Sequence, residues 1–193
     1  MESVHERRAK QHTATRSAIL GAARTVAARE GAREFSLRGV AAEAGFSPAA
    51  LYGYFRDKDE LLVALAADDL SALSREMRLK AGEGLQAVAA RALDHLRHAE
   101  TIAAASCALS AGESESARLF NGRLIAVLRA LSEAAGNPAD SRESQADVLL
   151  IAAAVTGLAA LERTGRLDAL GFDAQEVLAR LGARLSGSFL APP

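Results

Sequence analysis

The sequence is short of cysteine, tryptophan and aromatic residues in general. Among its 193 residues it has one cysteine, no tryptophan and only 4% aromatic residues. The lone Cys107 allows no disulfide within the chain, which fits a reducing compartment. Runs of aromatic or β-branched residues, which favour strands, are scarce, while alanine and leucine dominate the apolar residues. The sequence therefore predicts an all-α protein.

No segment has the apolar character that a secretory signal or a membrane span needs. The N-terminal MESVHERRAKQHTATR is polar and of mixed charge, unlike a signal peptide. The longest apolar run, over 148–161, would rise about 21 Å as a helix, less than the roughly 30 Å hydrocarbon core of a bilayer. We therefore expect a soluble, cytoplasmic protein without a membrane partner.

Motifs that carry catalysis are also lacking. No nucleophile triad, acid–base pair, phosphate loop or metal-ligand cluster stands out, so we expect a non-enzyme without catalytic residues, cofactor or metal. His95 and His98 have the i, i+3 spacing of helical metal ligands, but no nearby carboxylate or cysteine completes a ligand set. One satisfied core histidine and one solvated histidine explain this pair better. Cys107 is best explained as a small buried hydrophobic residue.

Charge is distributed unevenly along the chain, although the net charge is only −1. Residues 1–58 contain ten Lys and Arg against six Asp and Glu, a balance of +4. The remaining residues contain 13 basic and 18 acidic residues, a balance of −5. A basic N-terminal segment on an acidic body is typical of a nucleic-acid-binding domain attached to a second domain, although ordinary solvated surfaces also show such excesses.

Two short helices joined by a tight turn are predicted around Gly45. Ser36 is a favoured N-cap for the first helix. Ser47 is a favoured N-cap and Pro48 a favoured first residue for the second helix, which we expect over 48–55. Such a pair is a helix-turn-helix, whose second helix lies in the major groove of DNA.

Flanking helices complete a three-helix unit. The helix before the pair should bury Ile19, Ala23, Val26 and Ala27 on one stripe. It should end at Gly31 in a left-handed conformation. Asp57 is a candidate N-cap for the next helix, with Glu60 at the capping-box position.

Both tyrosines of the chain fall in the second helix of the predicted pair. Leu51 and Phe55 have i, i+4 spacing and should face inward, which leaves Tyr52 and Tyr54 off the buried stripe. Tyrosine hydroxyls donate hydrogen bonds to DNA phosphates. A partly buried ring with a satisfied hydroxyl is the alternative. We expect both tyrosines to face phosphates.

Residues 19–70 resemble the DNA-binding domain of the TetR family of transcriptional regulators. The resemblance rests on the stop at Gly31, on FSLRGVAAEAGFS, and on LYxYFxxKxEL, which is formed here by Leu51, Tyr52, Tyr54, Phe55, Lys58, Glu60 and Leu61. It implies a helix-turn-helix DNA-binding domain over 11–57 and a helical ligand-binding and dimerisation domain over 58–190. The DNA partner that this resemblance implies agrees with the basic charge of residues 1–58.

The resemblance also implies the residues that contact DNA. They are Ser36, Arg38, Ser47, Pro48, Ala49, Ala50, Tyr52, Tyr54 and Lys58. Two positions differ from the family pattern, because Leu37 replaces a frequent hydroxyl residue and Pro48 replaces a frequent Lys or Gln. With Pro48, Ala49 and Ala50 in place, base reading depends on methyl contacts, Arg38 and DNA shape.

The body of the chain carries two further predictions. Its stripes of Ala, Leu, Val and Ile favour an apolar cavity for a small lipophilic effector, with His95, Cys107, Arg118 and Phe120 as candidate contacts. A filled core without a pocket is the alternative. The last two long helices should form a homodimer interface, with Val148, Ala152, Ala153, Val155, Gly157, Ala160, Leu178, Leu181 and Leu185 as its candidate residues. Burial within one subunit is the alternative there.

Two functions remain open at this point. The first is a ligand-responsive transcriptional repressor that binds a palindromic double-stranded operator as a homodimer and is released by a small apolar molecule. The second is a helical enzyme or small-molecule-binding protein with a helix-turn-helix that does not bind DNA. Duplex binding with a steep salt dependence separates the two, because only phosphate contacts release counterions.

Overall fold

The computed structural model describes residues 3–108, 114–136 and 141–189, and these residues form helices and turns without a β-strand. The predicted all-α class is thus confirmed. The chain divides into two compact units, one of Met1–Asp68 with Glu100–Phe120 and one of Asp69–Ala99 with Asn121–Pro193. The domain bounds 11–57 and 58–190 stay a prediction.

The first unit is built on a long N-terminal helix. Its helices are α1 (Val4–Glu30), α2 (Leu37–Ala44), α3 (Pro48–Leu51), the beginning of α4 (Lys58–Lys80), α6 (Glu100–Ala108) and the first residues of α7 (Glu115–Ala134). The predicted stripe of α1 is buried, and it packs in a core with Phe35, Val40, Leu51 and Phe55. Helix α1 begins with a capping box, in which the Ser3 side chain accepts from the Glu6 N–H and the Glu6 carboxylate accepts from the Ser3 N–H.

Helix α1 ends at Gly31, but not in the expected left-handed conformation. Gly31 has φ 97° and ψ 146°, so φ is positive while ψ is extended. Its N–H still donates to the Ala27 carbonyl, at 2.8 Å. A side chain at this position would be strained, and an added Cβ would also lie close to the Glu34 carboxylate. Glycine is therefore required here for a reason different from the predicted one.

The turn between α2 and α3 has the geometry of a Schellman motif. Gly45 is left-handed at φ 71° and ψ 26°. Its N–H donates to the Ala42 carbonyl and the Phe46 N–H donates to the Ala41 carbonyl, which satisfies two carbonyls at the end of α2. The predicted caps are also present, since the Ser36 side chain accepts from the Gly39 N–H. The Asp57 side chain accepts from the Glu60 N–H at the start of α4.

The recognition helix is shorter than predicted. Helix α3 covers only Pro48–Leu51, and Tyr52, Gly53 and Tyr54 form turns rather than the expected helix to residue 55. The N–H groups of Tyr54 and Phe55 both donate to the Leu51 carbonyl, so the chain tightens after one helical turn. Leu51 and Phe55 are nevertheless buried, as their spacing predicted.

The second unit is a bundle around α5 and α8. It contains the remainder of α4 and α7, a 3-10 helix (Ala81–Glu83), α5 (Leu85–His98), α8 (Arg142–Arg163), the short α9 (Arg166–Ala169) and α10 (Ala174–Phe189). Helix α5 packs against α8, and α10 packs against both. The core includes Met77, Val88, Leu93, Val155 and Leu158.

One predicted helix is divided in two. Apolar residues at three-four spacing predict a continuous helix from residue 83 through Ile102. In the structure, α5 ends at His98 and α6 begins at Glu100. Ala99, between them, has φ −98° and ψ 72°. Nothing in the local sequence explains this break, because neither glycine nor proline is present there.

The stretches SAGESES (110–116) and AAGNPADS (134–141) predict breaks between helices, and the bounds of α7 agree with both. Ser114 caps α7, since its side chain accepts from the Ala117 N–H at 3.0 Å. Helix α7 ends at Ala134, and α8 begins after its N-cap Ser141. Residues 109–113 and 137–140 of the predicted breaks lie outside the described residues.

Candidate nucleic-acid interface

The N-terminus of α3 is exposed and carries little hydrogen-bonding capacity. Ser47, Pro48, Ala49 and Ala50 are all exposed. The Ser47 hydroxyl accepts from the Ala50 N–H at 3.2 Å, so one of its lone pairs is used while its proton can still be donated. Apart from that hydroxyl, the side chains offer methyl and methylene groups only, so they can contact a thymine methyl but cannot accept or donate at base edges.

A shallow groove lies beside the ends of α2 and α4. Its volume is about 580 Å³, and it is lined by Phe35, Ser36, Leu37, Arg38, Tyr52, Arg56, Asp57 and Lys58. We call it the basic groove, because it holds three cationic side chains and one carboxylate. Four of the nine predicted DNA-binding residues line it, namely Ser36, Arg38, Tyr52 and Lys58.

Arg38 and Tyr52 present their polar groups to solvent. Both side chains are exposed, and the Tyr52 residue is 59% accessible. Neither side chain makes a hydrogen bond or an ion pair with the residues that the structure describes. Both can therefore bind an incoming anion without first losing a protein partner, and Arg38 has the planar donor set that suits a phosphate or a guanine edge.

Lys58 and Arg56 line the same groove but are already paired. The Lys58 ammonium donates to the Arg33 carbonyl and lies 5.3 Å from the centroid of the Phe35 ring. Arg56 Nε is 3.2 Å from the Glu60 carboxylate, and the Arg56 side chain is 74% exposed. Lys58 thus has a structural role in addition to the predicted phosphate contact, while Arg56 is a groove residue that the sequence did not single out.

Tyr54 is placed differently from Tyr52. Its ring is half-buried and stacks on His12 of α1, with 4.7 Å between the centroids and an interplanar angle of 26°. The guanidinium of Arg16 lies 5.1 Å from the centroid of the Phe55 ring. His12 and Arg16 thus pack on the turn after α3, and no sequence pattern could have paired residues about forty positions apart.

Ion pairs neutralise part of the positive charge of the first unit. Arg29 on α1 is bound to Glu43 on α2 at 3.1 Å and to its neighbour Glu30. The hydrogen bond that Arg29 donates to Glu43, and then the one that it donates to Glu30, raise the pKa of Arg29 above its usual value. Arg24 pairs with Asp68 at 2.9 Å. The charge that remains for an anionic partner is concentrated in the basic groove and in the first half of α1.

The candidate effector contacts are not brought together by the described structure. His95 belongs to the second unit, where its Nδ1 is 3.6 Å from the Glu76 carboxylate. Arg118 and Phe120 belong to the first unit, Arg118 exposed and Phe120 buried. The side chain of Cys107 lies outside what is described. Within the described residues no group of three potential ligands could hold a metal ion.

Helix α8 has one buried and one exposed face. Its sequence is apolar nearly all round, which predicts cover on every side. Among the predicted interface residues, Val148 and Val155 lie in the core of their own unit. So does Leu178 of α10. Ala153, Gly157 and Ala160 are exposed, Ala152 and Leu181 are intermediate, and the side chain of Leu185 is not described. The first group cannot supply the surface of an interface, whereas the exposed group can.

The exposed face of α8 is uncharged over several turns. It is formed by Ala146, Leu149, Leu150, Ala153, Thr156, Gly157 and Ala160, which we call the α8 face. Leu149 is 56% and Leu150 57% accessible. By length and composition α8 could also cross a membrane, because an 18-residue stretch of it has a mean hydropathy of 1.7. Of that stretch, 33% is buried. A helix of a soluble protein passes the same test, and the other face of α8 packs on α5 and α10.

The first unit has the parts of a DNA-binding domain. Helices α2 and α3 form a helix-turn-helix, and the start of α3 is exposed. The basic groove is lined by the start of α2 and by Tyr52, the residue after α3. Residues 19–65 match the family model of bacterial regulatory proteins of the tetR family. No curated protein matches the chain.

Solved structures share the fold over most of the chain. A TetR transcriptional regulator from Rhodococcus sp. RHA1 is similar with 22% identity and a TM-score of 0.69, covering 89% of this chain and 94% of that one. A protein with unknown function from Rhodococcus sp. RHA1 has 26% identity and a TM-score of 0.67, with 90% and 94% covered. FadR from Bacillus subtilis, solved in complex with stearoyl-CoA, has 17% identity and a TM-score of 0.57, with 86% and 94% covered.

These matches confirm the resemblance seen in the sequence. Residues 19–65 carry the helix-turn-helix and match the tetR family model. Over most of its length the chain shares the all-helical fold of the solved structures.

Proposed function

We propose that the protein is a transcriptional repressor that binds a palindromic operator as a homodimer and is released by a small apolar molecule. It acts by binding and not by catalysis. The observation that carries the proposal is the exposed start of α3 together with the basic groove, where Arg38 and Tyr52 keep their polar groups available. In this proposal α3 enters the major groove and the groove side chains hold backbone phosphates.

The nine predicted residues divide into three roles in this proposal. Arg38, Tyr52, Tyr54 and Lys58 position the domain through phosphates, with Arg38 also able to reach a base edge. Ser36 holds α2 through its cap. Ser47, Pro48, Ala49 and Ala50 face the bases, where they supply methyl contacts and one hydroxyl. Arg56 joins the phosphate contacts as an exposed cation of the same groove.

Dimerisation is proposed to use the α8 face. This face has no charged residue over four turns, and its Leu149 and Leu150 are both more than half accessible. Monomeric proteins rarely leave such an apolar surface exposed to water. The small residues Ala153, Gly157 and Ala160 let another helix approach closely. The occupant that we propose is the same helix of a second copy, because two copies related by a two-fold axis supply the second recognition helix that a short α3 needs for selectivity.

The effector is proposed to be lipophilic, because the residues that build the core of the second unit are almost all Ala, Leu, Val, Ile and Met. A relative of the same fold, FadR from Bacillus subtilis, was solved with stearoyl-CoA, which makes a long-chain acyl-CoA a reasonable first probe. The effector would favour a conformation in which the two recognition helices no longer match successive major grooves. Coupling of this kind is reciprocal, so operator must weaken effector binding by the same factor.

The test is binding of the full chain to duplex DNA at several salt concentrations. Fragments of the source genome that the protein retains would be selected and sequenced, and one retained duplex would be titrated by fluorescence anisotropy. We expect a palindromic motif and a linear fall of log affinity with log salt, with a slope of about −0.9 for each phosphate contacted. Addition of stearoyl-CoA, and of small apolar molecules in turn, would then be scored for release of the duplex.

Each possible result has a defined meaning. A protein that retains no fragment, or whose weak duplex binding does not depend on salt, is not a DNA-binding regulator and belongs to the second class, a helical small-molecule-binding protein or enzyme. Retention with salt dependence, together with an effector whose affinity is unchanged by saturating operator, keeps the DNA-binding role and refutes release by that effector.

A further inference from the structure

Helix α1 is much longer than its part in the three-helix core requires. It begins at Val4, whereas its first buried residue is Ile19. Residues 3–14 are all exposed, so about three helical turns extend beyond the core. An isolated helix of this length is marginal in water, so this extension gains little stability within the protomer.

The extension carries one face of cationic and imidazole side chains. With about 100° between successive residues, His5, Arg8, His12 and Arg16 fall on the same face of α1. This face continues the buried stripe of Ile19, Ala23 and Val26 without interruption. We call these four residues the α1 stripe. At Arg16 the face therefore changes from apolar to cationic.

The α1 stripe is anchored beside the residues that are proposed to contact DNA. His12 stacks on Tyr54, and Arg16 lies over the Phe55 ring, so both contact the turn that follows α3. Arg8 is one helical turn further from the core than His12. It makes no hydrogen bond or ion pair with residues in the described part of the chain. Its guanidinium is thus available to an external anion.

The charge of the extension selects an anionic partner. Between residues 3 and 18 the only carboxylate is Glu6, which lies off the stripe and accepts from the Ser3 N–H. An apolar continuation of the stripe would favour a protein partner, whereas guanidinium and imidazole groups favour phosphates. The stacking on Tyr54 places this face next to the proposed path of the DNA backbone.

We propose that the α1 stripe binds backbone phosphates of DNA that flank the base pairs read by α3. The inference rests on the proposed DNA-binding function and extends its interface by a helix that the sequence motifs do not include. Arg8 supplies the outer phosphate contact. Arg16 and His12 are positioning residues as well as contacts, because they pack on Phe55 and Tyr54.

The experiment compares two charge-matched variants of the full chain. Arg8→Gln removes a cation from the stripe, and Arg7→Gln removes the neighbouring cation on the opposite side of the same exposed helix. Each variant would be titrated with two duplexes, one that ends at the operator palindrome and one that carries natural flanking sequence on both sides. Circular dichroism and thermal unfolding would verify that both variants keep the wild-type fold.

We expect the wild type to bind the flanked duplex more tightly than the short one. Arg8→Gln should lose that advantage and lower the salt slope on the flanked duplex by about 0.9 for each protomer bound. Arg7→Gln should keep the advantage. Equal slopes for the two variants, or a loss by Arg8→Gln that is the same on both duplexes, would overturn the inference while leaving the proposed function intact. Absence of salt-dependent duplex binding by the wild type would overturn both.

Discussion

Arg38 is the residue on which base reading should depend most. It lies in the first turn of α2 with an exposed side chain, while the start of α3 offers only Pro48, two alanines and one hydroxyl. We expect Arg38→Ala to reduce the preference for operator over random duplex by about 1–3 kcal/mol, the range of a bidentate contact with a base. Competition titrations with the two duplexes measure this preference.

Arg56→Ala is the matched control for that measurement. It removes a cation from the same basic groove, but the Arg56 guanidinium is directed to Glu60. Loss of the Arg56 cation should weaken binding to the operator and to the random duplex equally. If Arg38→Ala also weakens both duplexes equally, Arg38 contacts phosphates only and the bases are read without a long donor.

Lys58 illustrates what the sequence motif could and could not predict at this scale. The motif predicts a lysine that holds a phosphate, and the lysine does line the basic groove. Its ammonium, however, donates to the Arg33 carbonyl and lies against Phe35, residues more than twenty positions away. A contact of this kind depends on how α1 and α4 pack, so no local pattern contains it.

At the scale of helices, Ser47 combines a structural and a functional role. Its hydroxyl caps α3 by accepting from the Ala50 N–H. Ser47→Ala should lower the free energy of unfolding by about 0.5–2 kcal/mol, the usual cost of a lost N-cap, as measured by urea denaturation. Ser47→Asp should restore the cap and the stability, but bind DNA less well because its carboxylate repels phosphates.

Either variant can contradict this assignment. A Ser47→Asp protein as unstable as Ser47→Ala would mean that the hydroxyl does not cap α3 in solution. A stable Ser47→Asp protein with wild-type affinity for DNA would mean that the start of α3 does not approach the duplex.

Arg97 and Glu162 join α5 to α8 through two hydrogen bonds, of 2.5 and 2.6 Å. Both side chains are partly buried, and the hydrogen bond that Arg97 donates to Glu162 raises the pKa of Arg97 above its usual value. We expect Glu162→Gln to lower the free energy of unfolding by about 1–2 kcal/mol. This value lies between the usual loss for an exposed ion pair and that for a buried hydrogen bond to a charged group. Urea denaturation measures the change.

The exposed pair of Arg24 and Asp68 provides the comparison. Both of its side chains are about half accessible, and Asp68→Asn should cost less than about 1 kcal/mol. If Glu162→Gln lowers the free energy of unfolding no more than Asp68→Asn does, the bidentate geometry adds no stability beyond that of an ordinary surface ion pair.

Helices were predictable from the sequence where local signals define them. Ser36, Ser47 and Asp57 each cap the helix that they were expected to cap, because an N-cap depends only on residues two or three positions further on. The early end of α3 and the break at Ala99 were not predicted. Apolar spacing continues through both sites, so the pattern that identifies a helical face does not show where the helix stops.

For the whole molecule, the α8 face should determine the oligomeric state. Ala153→Glu places a carboxylate in the middle of this exposed apolar surface. We expect it to convert a dimer to a monomer in sedimentation velocity at micromolar concentration, because the charge would be buried without a partner. The first unit should keep its helices, since Ala153 belongs to the other unit.

Asn121→Glu is the control, because it adds a carboxylate to another exposed helical position of the same unit. It should leave the dimer intact. A wild-type monomer at micromolar concentration, or a dimer that survives Ala153→Glu, would remove the α8 face from the proposed interface.

The sequence could predict that α8 belongs to the candidate interface, but not which residues of α8 form it. The sequence shows that α8 is apolar on every side, and it cannot show which side α5 and α10 cover. The structure buries Val148 and Val155 and leaves Leu149 and Ala153 exposed. Orientation of a uniformly apolar helix is decided by its neighbours, and the identity of the neighbours is a property of the assembled unit.

The short reach of the hydrogen bonds around α3 has a kinetic consequence. The backbone and cap bonds that fix the chain from Ser36 to Glu60 join residues at most five positions apart. Proteins rich in such local contacts fold within microseconds to milliseconds. Leu51 and Phe55 also anchor this segment in the core of the first unit, so we expect the recognition helix to be formed before it meets a duplex. The rate of association with DNA should then be set by diffusional encounter and by the salt concentration. The helix would not have to fold anew at each DNA site that the protein tests.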